Sequence, residues 1–170
     1  MKFTKREMPK GDGNGGSYLR LEDGAPVTGV LRGEVFEFFQ IWPYGGDKQV
    51  FATRVPGSSS RFKINFVMHE NGKFVAKVWE FGLSVYNQLA DIADEYDLEE
   101  TKVKITRRGE GKATNYMVLP LIKEKIPKAA MAEIEAVKLN ALDAHLAPVP
   151  PPPGKFDDET GGGDSDEVPF

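Results

Sequence analysis

The hydrophobic pattern of the chain is clearest between positions 61 and 82, where apolar and polar residues alternate in RFKINFVMHENGKFVAKVWEFG. Two stretches rich in β-branched and aromatic residues flank Asn71-Gly72, the dipeptide that best tolerates the positive φ angles of a two-residue type I′ turn. The pattern therefore predicts a β-hairpin in which Glu70 lies opposite Lys73.

Counting outward from this turn assigns the hairpin side chains to two faces, because side chains alternate along a strand. The core face carries Phe62, Ile64, Phe66, Met68, Val75, Lys77, Trp79 and Phe81, and the opposite face carries Arg61, Lys63, Asn65, His69, Phe74, Ala76, Val78 and Glu80. We expect that opposite face to be wet and partly basic. Lys77 fits an apolar face badly, and a bulge between Ala76 and Trp79 would turn it outward and change the facing of Trp79.

A long β-prone run, 27–39, precedes the hairpin. Its internal glycines, Gly29 and Gly33, suit a strand that bends sharply or is closely crossed by another backbone. A short strand and turn is predicted at 17–24 and another short strand at 49–54, inside the long connection 40–60.

Two helices and two strands follow the hairpin. Helical spacing of Val85, Leu89, Ile92 and Tyr96 predicts a helix over 84–96, with Ser84 as its N-cap. Strands are predicted at 102–107 and 115–119, joined by a glycine-punctuated basic loop. A second helix is predicted over 127–146, with Pro127 in its first turn and a stripe formed by Ala130, Ile134, Val137 and Ala141. This helix either packs on the sheet or pairs with another subunit.

The order of these elements predicts a mainly β, α+β fold: a five-stranded OB-fold barrel with a helix between its third and fourth strands. In that fold the second and third strands, and the loops between strands 1 and 2 and strands 4 and 5, bind oligonucleotides. We predict a flexible arm at 1–17, the OB domain at 18–126, the C-terminal helix at 127–146, and a proline-rich linker with a disordered acidic tail at 147–170.

Charge is distributed unevenly along the 170 residues. The net charge is -4, but residues 151–170 hold six of the 26 acidic and only one of the 22 basic groups, which leaves the body close to neutral. Basic and aromatic residues cluster in the connection 40–60, the hairpin and the 107–114 loop. A cationic groove with exposed rings is what single-stranded nucleic acid requires.

The candidate stacking rings are Trp42, Tyr44, Trp79 and Tyr116. The candidate phosphate partners are Arg32, Lys48, Arg54, Arg61, Lys63, Lys77, Arg107, Arg108 and Lys112.

The sequence contains few residues of the types that catalyse reactions or bind metals. Its two histidines, His69 and His145, have no metal-ligand spacing, and the absence of cysteine excludes disulfides and thiol chemistry. We therefore expect no enzymatic activity and no cofactor. A charged N-terminus and the lack of a long apolar run favour a cytoplasmic protein without membrane contact.

The ending Asp164-Ser-Asp166-Glu167-Val168-Pro169-Phe170 resembles the acidic tip of bacterial single-stranded DNA-binding proteins. The body from about 17 to 121, including YLRLEDG, VTGVLRGE, SVYNQL and EYDLEETKVKITRRGEG, resembles the single-stranded DNA-binding proteins of tailed bacteriophages, which are OB-folds. The body departs from the cellular bacterial proteins, so their tetramer is not implied.

This resemblance implies sequence-independent binding and protection of single-stranded DNA during phage replication, recombination and repair in the bacterial cytoplasm. It also implies that Phe170 fills an apolar pocket on partner enzymes while Asp164, Asp166 and Glu167 meet a basic rim. The alternatives are an RNA-binding OB protein of cold-shock type and an adaptor that uses only the tail.

Overall fold

A computed structural model of the chain describes residues 18–43 and 46–143. These residues form a mainly β structure, a six-stranded antiparallel sheet with two α-helices, which confirms the predicted class. The strands are β1 (Val27–Ile41), β2 (Gln49–Phe51), β3 (Ser59–Glu70), β4 (Lys73–Phe81), β5 (Val103–Arg108) and β6 (Asn115–Pro120), and the helices are α1 (Leu83–Ala93) and α2 (Lys128–Ala136).

The chain divides into two compact units. The larger contains Phe62–Leu142 and the chain up to Phe36, and the smaller is built on Glu37–Arg61. The strand order is β4-β3-β1-β5-β6, with β2 paired to β1. The first strand is therefore flanked by the hairpin that precedes α1 on one side and by the hairpin that follows it on the other.

The β3–β4 hairpin has the predicted turn and register. Asn71 and Gly72 adopt φ angles of 51° and 83°, and pairing runs without interruption from Glu70↔Lys73 to Phe62↔Phe81. No residue is inserted between Ala76 and Trp79, so this segment has no bulge, and the facing of Trp79 and Lys77, which the sequence left open, follows the regular alternation. Lys77 stays on the same face as Phe66, its partner across the ladder.

Gly29 and Gly33 in β1 have the backbone conformation and close backbone contact that the sequence predicts for them. Gly33 has a φ of 78°, a left-handed conformation that side-chain-bearing residues rarely adopt. At Gly29 a Cβ atom would lie 2.5 Å from the Val67 carbonyl oxygen, so the neighbouring backbone passes too closely for any side chain. The strand bends at one glycine and is crossed at the other.

The main core lies on the inner face of the hairpin. Phe62, Ile64, Phe66, Trp79 and Phe81 pack there with Leu31, Val85, Leu89, Val103, Ile105 and Val118. Burial of each large apolar side chain stabilises the fold by about 1.5–3 kcal/mol. Helix α1 supplies Val85 and Leu89 as predicted, but it ends at Ala93, and its N-cap is Gly82 rather than Ser84.

Helix α1 also covers the backbone of β6, the last strand on the sheet path. The Gln88 side chain donates from Nε2 to the Tyr116 carbonyl oxygen (2.9 Å), and its Oε1 accepts from the Val118 amide (3.0 Å). One side chain thus supplies both partners that a neighbouring strand would supply, which protects this edge from pairing with another chain.

The central part of the outer face of the hairpin is buried, which contradicts the expected wet face, and His69 near the turn is exposed. Val67 and Ala76 form a second core there with Val30 and with Ile134 of α2. Helix α2 ends at Ala136, ten residues before the predicted end at 146, because Val137 turns to an extended ψ of 131°. Its apolar side packs on its own sheet.

A side-chain clasp holds the segment after α2 against this face. Asn65 donates from Nδ2 to the Asn140 carbonyl oxygen (3.1 Å), and its Oδ1 accepts from the Asn140 amide (2.8 Å) and from Asn140 Nδ2 (3.2 Å). Asn140 Nδ2 also donates to the Ala76 carbonyl oxygen (3.0 Å). The polar group of the buried Asn65 is therefore satisfied, as burial requires.

Residues 18–24 connect the edge strand β4 with β5. The Leu19 amide donates to the Val78 carbonyl oxygen and the Gly24 amide to that of Arg107, both at 2.8 Å. Asp23 Oδ1 also accepts from the Gly109 amide (3.0 Å). The short strand predicted at 17–24 is thus a pair of isolated bridges with a turn at Gly24.

The smaller unit is organised by the end of β1 and by β2. Phe39 pairs with Phe51 and Ile41 with Gln49, so the predicted 49–54 strand is shorter and stops at Phe51. Ser58 closes the following turn by donating from its hydroxyl to the Val55 carbonyl oxygen (2.6 Å). Within the residues that the structure describes, no helix has the length and apolar character needed to cross a membrane.

Candidate nucleic-acid interface

The predicted stacking rings differ sharply in accessibility. Trp42 is 67% exposed and Tyr116 36%, whereas Trp79 is only 2% exposed. Trp79 lies opposite Ile64 in the core, with its ring 4.7 Å from that of Phe81, because the uninterrupted register keeps it on the inner face. Its placement among the stacking rings is therefore wrong. Tyr44 lies outside the described residues.

Lys63 is also removed from solvent, at 3% exposure, on the covered face of the hairpin. Its Nζ lies 5.8 Å from the centre of the Tyr18 ring. Burial lowers the pKa of Lys63, and the Glu80 carboxylate offsets part of that change. Burial raises the pKa of Tyr18, and Glu80 raises it further. The buried Lys63 side chain lies beside the partly exposed Tyr18 and is not itself presented to a phosphate.

Four other predicted cations, Arg32, Arg61, Lys77 and Arg107, are half-buried. The Lys77 ammonium lies 3.5 Å from Glu70 Oε2, so a phosphate on Lys77 would compete with this carboxylate. Arg32 and Arg61 are half-buried in β1 and β3. The sequence left the facing of Lys77 open, and the structure places it on the inner face, where the ion pair with Glu70 accommodates its charge.

In the smaller unit, the exposed candidates are Trp42, Lys48 and Arg54. Trp42 has the largest exposed fraction among the large apolar side chains that the structure describes. The Arg54 guanidinium lies 5.3 Å from the centre of the Phe39 ring and donates from Nη2 to Ser60 Oγ (3.1 Å). The smaller unit thus presents one exposed indole ring, Trp42, and two exposed cations, Lys48 and Arg54.

In the larger unit, the β5–β6 hairpin presents Arg107, Arg108, Lys112 and Tyr116. Arg107 and Tyr116 are directly opposite each other in the ladder, as are Arg108 and Asn115. The loop turns through Gly109 and Gly111, with φ angles of 89° and 55°, and carries Lys112 exposed in a short 3₁₀ turn. A second ring therefore lies beside several cations.

An open cleft of about 280 Å³ lies between residues 19–21 and strands β4, β5 and β6. Its lining comprises Leu19, Arg20, Leu21, Trp79, Glu80, Arg107 and Tyr116. The structure thus brings three predicted residues together, although Trp79 contributes only as part of the apolar wall.

The wall formed by residues 19–21 and the acid Glu80 were missed by the sequence prediction. The alternation of Leu19, Arg20 and Leu21 indicates an extended segment, but nothing in it indicates which strands that segment joins. Its place follows from long-range hydrogen bonds to Val78 and Arg107.

The tail residues Asp164, Asp166, Glu167, Val168, Pro169 and Phe170 lie outside the described residues. Comparison of the chain with protein-family models, curated proteins and solved structures finds no match.

Proposed function

We propose that the chain is an OB-fold protein that binds single-stranded DNA without sequence preference. The strand order β4-β3-β1-β5-β6, with α1 between the two hairpins, supports a five-stranded Greek-key barrel of this type. Residues 18–24 bond to both β4 and β5, as expected for a segment that closes such a barrel.

The observation that carries the proposal is that each of two connections presents an exposed ring and exposed cations. Trp42, Lys48 and Arg54 belong to the stretch between β1 and β3, and Tyr116 borders the loop between Arg108 and Lys112. The corresponding loops of OB-folds bind oligonucleotides. Each ring that stacks on a base contributes about 1–3 kcal/mol, and every base has a face to stack on, so such binding tolerates any sequence.

The cations act on the phosphate backbone. Each phosphate that a lysine or arginine neutralises releases counterions, so affinity falls as salt increases, with a slope set by the number of contacts. Of the nine predicted cations, Lys48, Arg54, Arg108 and Lys112 are exposed and are the first candidates. We propose no catalytic step.

The acidic tip is proposed to recruit enzymes of DNA replication, recombination and repair. Its acids suit a basic rim, and Val168 and Phe170 suit an apolar pocket on the partner. Because the tip is separate in this proposal from the DNA-binding residues, deletion of 168–170 should abolish partner capture and leave DNA affinity unchanged. Capture of the same partner enzymes by the truncated protein would contradict a role for the tip.

The DNA-binding proposal is tested by titrating oligo-dT of about 30 nucleotides at low and high salt, with anisotropy and tryptophan fluorescence as readouts. The wild type should bind with a negative salt slope, and Trp42→Ala should weaken binding about 5- to 150-fold through loss of one stack. Leu83→Ala is the matched control, since it removes another exposed apolar side chain. A folded wild type that binds no oligo-dT would refute the proposal, and tighter binding of matched RNA would favour the RNA-binding alternative.

A further inference from the structure

We propose that the cleft between residues 19–21 and strands β4, β5 and β6 holds one nucleotide of the bound strand. Arg107 would contact the phosphate and Tyr116 the base. This inference rests on the proposed function and adds to it a defined subsite, with Arg20 as a further contributor.

Arg107 is held in place at the cleft. Its backbone carbonyl accepts from the Gly24 amide, and its side chain donates from Nη1 to the Leu21 carbonyl oxygen (3.2 Å). Its Nε is covered and has no hydrogen-bond acceptor among the described residues. A buried donor without an acceptor costs free energy, which an oxygen from a ligand would recover. The planar guanidinium can offer Nε and Nη2 side by side, the arrangement that phosphate oxygens match.

Tyr116 provides the other end of the site. It lies directly opposite Arg107 in the β5–β6 ladder, and the hydrogen bond from Gln88 to its carbonyl oxygen fixes its backbone. Its ring is partly exposed in a lining that also contains Leu19, Leu21 and Trp79. An aromatic and aliphatic wall next to a guanidinium suits a base joined to a phosphate.

The size and charge of the cleft narrow the ligand class. Drug-sized ligands occupy pockets of about 300–1,000 Å³, so a cleft of about 280 Å³ suits a smaller group such as one nucleotide. The lining carries two guanidinium groups, from Arg20 and Arg107, and one carboxylate, from Glu80. This balance favours an anionic nucleotide over a neutral nucleoside.

The test compares residues of the same strand in oligo-dT titrations of the full chain. Arg107→Lys keeps the charge but loses the planar fork, so binding should weaken about tenfold. Lys104→Arg also keeps the charge, at a position on the other face of β5, and should change binding by no more than about twofold. Tyr116→Ala should likewise weaken binding about tenfold, while Met117→Ala, whose side chain points to the other face of β6, should not. Thermal unfolding of every variant shows that it is folded.

A second readout is the NMR signal of the Arg107 Nε–H group. Oligo-dT should shift this signal. Thymidine, which has no phosphate, should leave the signal in place. Addition of dTMP alone shows whether a free nucleotide is enough to shift the signal or whether the strand is needed. Equal effects of Arg107→Lys and Lys104→Arg, with no oligo-dT shift of this signal, would overturn the cleft site while wild-type binding upholds the proposed function. If the wild type binds no oligo-dT, both fail.

Discussion

The two faces of the β3–β4 hairpin are both buried, but different parts of the chain cover them. The inner face packs large apolar side chains against α1 and against residues of β5 and β6. The outer face is covered by α2 and by the segment clasped at Asn140, and it includes the polar side chains of Lys63 and Asn65. Alternation within a strand therefore identifies its two faces but does not show whether the more polar one is open to solvent.

This difference bears directly on function. In OB-folds the face of the second and third strands takes part in binding oligonucleotides. In this chain α2 covers part of the outer face of the β3–β4 hairpin, so the rings and cations that we propose for DNA contact are those in and beside the two connections. The hairpin organises the fold, and the exposed residues outside it are the candidates for contact with DNA.

The largest expected effect is on the free energy of unfolding, and it differs between two adjacent residues, Phe66 on the inner face and Val67 on the outer face. Phe66→Ala should lower the free energy of unfolding by about 3–5 kcal/mol, and Val67→Ala by about 2 kcal/mol, because the smaller side chain leaves a smaller cavity. Denaturant unfolding measures both values. Equal losses of unfolding free energy would show that the two cores pack equally tightly and would contradict the expected difference between the inner and outer faces.

A smaller effect is expected at the clasp. Asn65→Ala and Asn140→Ala should each cost about 1–3 kcal/mol, since each leaves buried hydrogen-bonding groups without partners. The double variant should cost less than the sum of the two, with an interaction energy of about 0.5–3 kcal/mol. Asn87→Ala, which removes an exposed amide on α1, is the control. Strictly additive losses would mean that the bond between the two side chains contributes nothing, because the other two bonds of Asn65 go to the backbone of residue 140 and survive Asn140→Ala.

The smallest effect is a pH dependence from Lys63. Because burial lowers its pKa in the folded state, the unfolded chain binds more protons below the ordinary value of 10.5. Stability should therefore rise with pH toward 10.5 in the wild type, until ionisation of Tyr18 in the unfolded chain opposes it. Lys63→Met should flatten this rise, whereas Lys73→Met, at an exposed position of the same hairpin, should not. Parallel pH profiles for wild type and Lys63→Met would contradict the burial of a charge.

The local parts of the fold were predictable from sequence for physical reasons. Asn71-Gly72 tolerates positive φ angles that few other dipeptides adopt, and the turn then determines every pair in the hairpin. Gly29 and Gly33 mark a crossing and a bend because no side chain fits the first position and few residues adopt the second.

The long-range parts were not predictable in the same way. The end of α2 at Ala136 allows Asn140 to reach Asn65, 75 positions earlier, and no local pattern encodes that contact. Trp79 was misplaced for a related reason: a lysine at position 77 suggested a bulge, whereas Glu70 compensates the charge. The cleft depends on residues 18–24 joining two distant strands, so its lining could not be assembled from spacing alone.

The most direct test of the central claim is photocrosslinking of the full chain to oligo-dT that carries 5-iododeoxyuridine, followed by mass spectrometry of the crosslinked peptides. Trp42 and Tyr116, the two exposed rings proposed to stack on bases, should carry the adducts. His69 and Phe74, aromatic residues on the outer side of the hairpin, should carry none. Adducts confined to His69 and Phe74 would contradict the account, because DNA would then bind the face that α2 and the Asn140 clasp partly cover.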